Sequence, residues 1–221
     1  MTETPRQRAR IETEAQITAI GNRMIDESGV DGLSLRAIAR ELGVVSSAVY
    51  RYVKSRDELL TILIRDAFTQ IADAVDGALA DRRSVETLAL TMLAWSRGHP
   101  NRWALIYGTP IADYEAPRAE TVVPGTRIMV TLADLVAESQ AGAEVAGRTD
   151  VSTVHAAALQ PLRDGLDELG LDYGDGVIIE TITIWVAVIG LINGLRFGQF
   201  GPGFDDVEDD LMSGVIGRLG E

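Results

Sequence analysis

The chain reads as an all-α protein, and three observations carry that expectation. Apolar residues recur at i, i+3, i+4 and i+7 through most segments, the period of a helix with one buried stripe. Gly and Pro stand where those stripes stop. No stretch alternates apolar and polar residues convincingly, and no internal repeat is present. Val177–Val188 is β-branched enough to pass for a strand, but its length and its helical flanks favour helix.

Residues 1–9 are polar, with Arg6, Arg8 and Arg10 at every second position, and read as a mobile arm able to reach a phosphate or a minor groove. A first helix is expected from about Arg8 to Ser28, with Ile11, Ala15, Ile17, Ile20, Met24 and Ile25 inward and Gly29 at its end. Ser34 can cap a second helix, because its hydroxyl can accept an otherwise unpaired backbone N–H. Leu35, Ile38, Ala39 and Leu42 then form a clean apolar stripe, and Gly43 sits where a left-handed glycine would close it. Ser46 or Ser47 restarts the chain as a short third helix with Val49 and Val53 inward. Two helices crossing at a short Gly-containing turn make a helix-turn-helix, whose second helix enters the DNA major groove.

Ser55 with Glu58 three residues on predicts a capping box. It opens a long fourth helix through Leu59, Leu60, Leu63, Ala67, Ile71, Ala74 and Val75 to about Ala80. No Pro/Gly linker follows the helix-turn-helix, so this helix is a rigid link between residues 1–55 and 56–221, taken as two domains. A fifth helix begins near Ser84 and is stopped by Gly98-His99-Pro100. A sixth runs from Asn101 to Tyr107, and residues 111–122, marked by Pro117, read as a loop. A seventh spans Pro124 to about Gln140, residues 141–150 read as a loop, and an eighth spans Val151 to Leu169. The ninth, Val177 to Phe197, is apolar nearly all round and must be buried on several sides. A last amphipathic helix covers Phe204 to Leu219.

Composition narrows the function classes. The chain has no cysteine, which removes disulfides, thiolate metal sites and a cysteine nucleophile. Its polar start lacks a hydrophobic signal core, and the apolar run Ile182–Ile192 reads as too short and interrupted for a bilayer, so a cytoplasmic protein is expected. The net charge of −13 argues at first against nucleic acid. Residues 1–60, however, hold nine Arg/Lys against nine Asp/Glu, and no acid lies between Gly43 and Arg56. All the excess acidity is in residues 61–221, which orients a neutral, locally basic end toward DNA. A generic solubilising surface explains the acidity equally.

On the third helix and its flanks, Tyr50, Tyr52 and Lys54 suit phosphate contact, with Arg36 as a further phosphate candidate. Ser46, Ser47, Ala48 and Arg51 are better placed for base edges. The bland alternative is an exposed helical face whose tyrosines cover apolar surface. Met92, Trp95, Trp103, Tyr107, Met129, Trp185, Asn193 and Phe197 gather the large flat side chains in a chain poor in aromatics. They suit an effector cavity with few polar handles, Asn193 and Asn101 foremost, or simply a packed core. His99 and His155 are the only histidines, and His99 is expected to meet a helix C-terminus as a cation. Asp205-Asp206-Val207-Glu208-Asp209 spells the DDxxD of Mg²⁺-dependent prenyl-transferring enzymes. No second acidic element and no nearby basic residues accompany it, so no catalytic residue, metal or cofactor is assigned.

The segment from about Ile11 to Ile64 resembles the DNA-binding domain of the TetR/AcrR family of bacterial transcription regulators. The matching pieces are Gly29 through Ala39, Leu42-Gly43-Val44, Val49 through Val53 and Lys54 through Leu60. Three residues depart from the pattern: Val45 stands for a Ser/Thr cap, Tyr52 for histidine and Val53 for phenylalanine. The first of these moves the expected cap to Ser46. The stretch from Trp95 to Tyr107 and the stretch from Trp185 to Leu191 are similar to the subfamily with a Trp/His-Gly motif, with Ile189 in the place of the histidine. The resemblance implies a homodimeric, ligand-responsive regulator, in the main a repressor, on a palindromic operator of double-stranded DNA. It implies an effector that is largely apolar, and no membrane partner. Leu191, Leu195, Leu211 and Val215 on the last two helices would pair across a two-fold axis. A ligand-sensing or protein-interaction module without DNA binding is the alternative.

Overall fold

The computed structural model describes residues 4–142 and 156–219. In chain order the helices are α1 (Pro5–Ser28), α2 (Leu35–Glu41), α3 (Ser46–Val49), α4 (Arg56–Asp81), α5 (Val85–Gly98), α6 (Pro100–Tyr107), α7 (Arg118–Gly142), α8 (Ala156–Glu168), α9 (Asp175–Arg196) and α10 (Glu208–Leu219). One 3-10 turn, Val30–Gly32, separates α1 from α2. The fold is all-α: an N-terminal helical bundle joined by the long α4 to a helical C-terminal part. No strand occurs among the described residues.

Four boundaries differ from expectation, each for a local reason. The arm read over residues 1–9 is helix from Pro5 onward. Thr4 caps α1 by accepting the Gln7 N–H at 3.3 Å, the Gln7 side chain accepts the Thr4 N–H at 3.0 Å, and Pro5 takes the first helical position. α7 begins at Arg118, because the Pro117 carbonyl accepts the Glu120 and Thr121 N–H groups, and Pro124 lies inside the helix. α9 starts at Asp175 rather than Val177. α10 starts at Glu208, leaving residues 205–207 in a turn. Of the residues read as the loop 141–150, the first two belong to α7; the rest of that loop, the first turn of the eighth helix and His155 lie outside the described residues.

The chain packs as two compact units. Met1–Asp73 and Trp95–Gly125 form the first, and Ala74–Ala94 with Thr126–Glu221 form the second. In the first unit Ile17, Ile20, Ile25, Leu35, Ile38, Val49, Val53, Leu59, Leu60 and Leu63 make one core. Gly21 lets the Leu63 side chain approach α1 closely, since a Cβ there would stand 3.0 Å from it. Leu105 of α6 joins this core, so an element far along the chain packs against α1.

A polar node fixes that packing. Arg102 of α6 donates to both carboxylate oxygens of Asp26 on α1 and to Gln70 Oε1 of α4 at 2.7 Å. Its side chain is 12 % exposed. Asn101 donates to the Asp26 backbone carbonyl at 2.9 Å. Asp66 receives the Gln70 amide at 2.5 Å and the Asn22 amide at 2.6 Å. A guanidinium so withdrawn from water is tolerable because its donors are met by charge and by amide oxygen.

In the second unit the core includes Leu88, Met92, Leu93, Ile128, Leu132, Val136, Ile178, Ile184, Val188 and Ile192. Arg83 donates twice to the Glu138 carboxylate, at 2.8 and 2.6 Å, and Tyr173 donates to Asp134 at 2.7 Å. The Phe200 ring sits on Gly194, where a Cβ would come within 2.2 Å of it. Arg196 and the buried Glu208 form an ion pair that holds α10 against α9. By length and composition alone α9 could cross a membrane, its most apolar window having a mean hydropathy of 2.0. The run 182–192, too short and interrupted by itself, is the middle of a helix that extends beyond both of its ends. Ile178, Thr181, Ile184, Val188, Leu191 and Ile192 are buried, while Val186 is 62 % exposed.

Truncating Arg102→Ala should lower the unfolding free energy by about 1–2 kcal/mol, because it removes a two-pronged, charge-assisted pair with the partly exposed Asp26 carboxylate and the bond to Gln70. Urea unfolding of Arg102→Ala, Asp26→Asn and the double variant checks this; the double loss should fall well short of the sum.

Candidate nucleic-acid interface

The helix-turn-helix, a candidate DNA-reading head, is built by one tight closure. Ser34 Oγ accepts the Ala37 N–H at 3.4 Å, which starts α2. At its other end Gly43 adopts a φ of +68°, a conformation glycine takes without strain. The Val44 N–H then bonds the Ala39 carbonyl at 3.0 Å and the Gly43 N–H bonds the Arg40 carbonyl at 3.2 Å, a Schellman closure. The chain re-enters helix at Ser46, with Val45 in the cap position and no side-chain hydrogen bond to the helix. The cap expected at Ser46 is therefore corrected: Ser46 is the first helical residue and a valine holds the cap site.

α3 is also shorter than expected. After Val49 the hydrogen bonds tighten, with the Tyr52 N–H reaching the Val49 carbonyl at 2.9 Å and the Arg51 N–H the Ala48 carbonyl at 3.4 Å. A helix of four residues has little cooperative strength of its own. Val49 and Val53, 1 % and 2 % exposed, hold it by packing into the core. Ser55 Oγ then accepts the Glu58 N–H at 3.1 Å, while the Glu58 carboxylate reaches one residue further back, to the Lys54 N–H at 2.5 Å.

That packing decides what faces outward. Arg36, Ser47, Tyr50, Arg51 and Lys54 are exposed; Ser46, Ala48 and Tyr52 are half-buried, Tyr52 resting against the core. The structure thus gathers all eight expected residues on α2, α3 and the turn after α3. It adds three that the sequence reading left out. Arg40 is exposed on the last turn of α2, and Val44 and Val45 are exposed at the turn between the helices. The nearest acid at the α2 end, Glu41, is paired with Arg23 of α1. The signal for Val45 was present as the departure at the cap.

The residues expected around an effector divide between the units. In the first, Trp103 is fully buried with its ring 4.5 Å from that of Tyr107, and Tyr107 meets Phe68 edge-on at 5.8 Å. Burial pushes the Tyr107 phenol up. Trp95 lies 5.1 Å from the His99 ring. In the second, Met92 is fully buried, and Met129, Trp185 and Asn193 are half-buried. A separate cleft of about 90 Å³ in the second unit is lined by Val85, Val136, Ser139, Glu180, Ile184, Ile216 and Leu219. Leu191 is buried, whereas Leu195, Leu211 and Val215 are half-buried.

One expectation needs correction, and one motif set aside in the sequence can now be placed. His99 is not poised as a cation: burial first, and then Arg102, lower its pKa against an opposing pull from Asp26. The DDxxD spelling does not form one helical face. Asp205 and Asp206 lie in the turn before α10, Glu208 turns inward to Arg196, and among the described residues no cluster of three His, Cys, Asp or Glu could hold a metal ion.

Comparison with known proteins agrees with this geometry. A family model described as "Bacterial regulatory proteins, tetR family" matches residues 17–61, and one described as "Tetracyclin repressor-like, C-terminal domain" matches residues 85–219. The chain is 40 % identical over 206 residues to an HTH-type transcriptional regulator of Mycobacterium tuberculosis, covering 89 % of this chain and 86 % of that protein. It is 37 % identical over 83 residues to the HTH-type transcriptional repressor DrrR1 of Streptomyces coeruleorubidus, covering 36 % and 29 % of the two chains. The solved structure of SCO4313, a protein assigned a regulatory role, superposes with a TM-score of 0.78 at 30 % identity over 98 % of both chains.

Two measurements follow from the geometry. Val45→Ser should raise stability by about 1 kcal/mol in thermal melting, since serine supplies the missing cap. The lowered pKa of His99 lies below that of an unfolded histidine, about 6.5. The unfolded chain therefore takes the proton first, and stability falls as pH drops below about 6.5. Comparing wild type with His99→Gln by urea unfolding between pH 7 and pH 5 should show a shallower loss in the variant.

Proposed function

The chain belongs to the tetR family of bacterial regulatory proteins, and on that footing we propose that it is a homodimeric repressor. It binds a palindromic operator in the cytoplasm and is released by a small, largely apolar effector. One observation carries the DNA side of this reading. A short helix is seated by two valines so that hydroxyls, a phenol and cations face outward, with no acid from Val44 to Ser55. Tyr50, Tyr52, Lys54 and Arg36 would hold phosphates, and Arg51 with Ser46, Ser47 and Ala48 would meet base edges. The acidic remainder of the chain would keep its own surface off the polyanion.

The dimer rests on α9 and α10. A helix as apolar as α9 leaves Val186 in water and Ile182 and Ile189 half-covered, and a second copy would complete their burial. Leu211 and Val215 line a shallow apolar recess on α10, and with Leu195, and Leu191 beneath, they would form the pairing surface. Trp95, Trp103 and Tyr107 in the first unit, and separately Met92, Met129, Trp185 and Asn193 in the second, are the candidate effector residues. A ligand that favours one spacing of the two reading heads would release DNA. The relative named as a repressor supports that direction of control.

The test is selection of genomic fragments by the purified protein at moderate salt with non-specific competitor. A short inverted repeat is the expected product. On that site Tyr50→Ala with Tyr52→Ala should weaken binding about tenfold or more. Lys54→Ala should reduce the slope of log affinity against log salt by about one per subunit. Sequence-blind binding, or none, would transfer the assignment to a sensing module without DNA recognition.

A further inference from the structure

Val45 is 72 % exposed, more than any other large apolar side chain among the described residues. Val44 beside it is 44 % exposed. Val45 holds the cap position of α3, where a hydroxyl or carboxamide would normally accept a backbone N–H, and its isopropyl group makes no such bond. Its side chain can offer apolar contact and nothing else. It stands directly ahead of Ser46 and Ser47, with Tyr50 and Arg51 exposed one turn further on, in the acid-free segment.

An aliphatic group in that place has one kind of sequence-dependent partner if the surface faces DNA, a premise taken from the proposed function. On the major-groove edges of the four unmodified bases the only apolar group is the C5-methyl of thymine. We infer that Val45 is a specificity-determining residue that packs on a thymine methyl in each half of the operator, with Val44 flanking the contact. Arg51 and the serines read polar edges, and Val45 adds a methyl-dependent position next to them. The contact removes two apolar groups from water at once and carries no charge, so it selects sequence without contributing to the salt dependence.

The experiment uses the full chain and the inverted repeat recovered by selection. Each thymine is replaced in turn, symmetrically, by deoxyuridine, which deletes the methyl and leaves the hydrogen-bonding edge intact. With wild type, one symmetric pair should weaken binding about fourfold per half-site, the worth of burying one methyl-sized group, and about fifteenfold for both. Val45→Ser, whose fold is checked by its melting curve, should bind thymine and deoxyuridine forms of that pair equally. Absence of methyl sensitivity at every thymine overturns the inference and leaves the regulator standing. Sensitivity that survives in Val45→Ser also overturns it. Failure to recover any sequence-specific site removes both together.

Discussion

A guanidinium held almost out of water must have its charge answered on the spot, and in Arg102 that requirement governs the first unit. Hydrophobic contacts are forgiving of small slides; a planar fork set against one carboxylate and one amide oxygen is not. Asp26 and Gln70 sit on α1 and α4, the helices that frame the reading head, whereas Arg102 sits on α6. Any displacement of α6 therefore has to break the fork or carry α1 with it. His99, just before α6 and lowered in pKa partly by Arg102, reports on the same balance.

The reading head shows the opposite economy. Its third helix is too short to be stable alone and lacks a side-chain cap, yet it is held in register by Gly43 behind it and by Val49 and Val53 beneath it. Rigidity there comes from the core and the turn. The surface residues are consequently free of structural duty, apart from Tyr52, and their chemistry can be directed outward.

Much of this was legible in the sequence because local chemistry determined it. Ser34, Gly43 and the Ser55–Glu58 pair each announce a helix end through a hydrogen bond made within a few residues. The Thr4-Pro5-Arg6-Gln7 start carries the same kind of signal, a capping box with proline at the first helical position, within a stretch otherwise marked by alternating arginines. Other features were not legible because they depend on residues far apart in the chain. Nothing near Asn101 or Arg102 indicates that their partners are Asp26 and Gln70. The DDxxD spelling was set aside for want of a second acidic element, but its four acidic letters do not reveal that one of them turns inward to an arginine of another helix. The exposure of Val45 lay between these cases, visible as a departure from pattern but interpretable only once its side chain was seen in water.

The charge of the reading head has one more consequence. Lys54 is the only lysine in the 221 residues, every other side-chain cation of that class being arginine, and it lies exposed beside Tyr52. All of the chain's ε-amine chemistry is therefore concentrated at one point on the candidate DNA face. Acylation of side-chain amines, whether by a reagent or by a metabolite, has a single address here. It would remove one cation from that face and leave the Arg102 node, the two cores and the arginine contacts as they are.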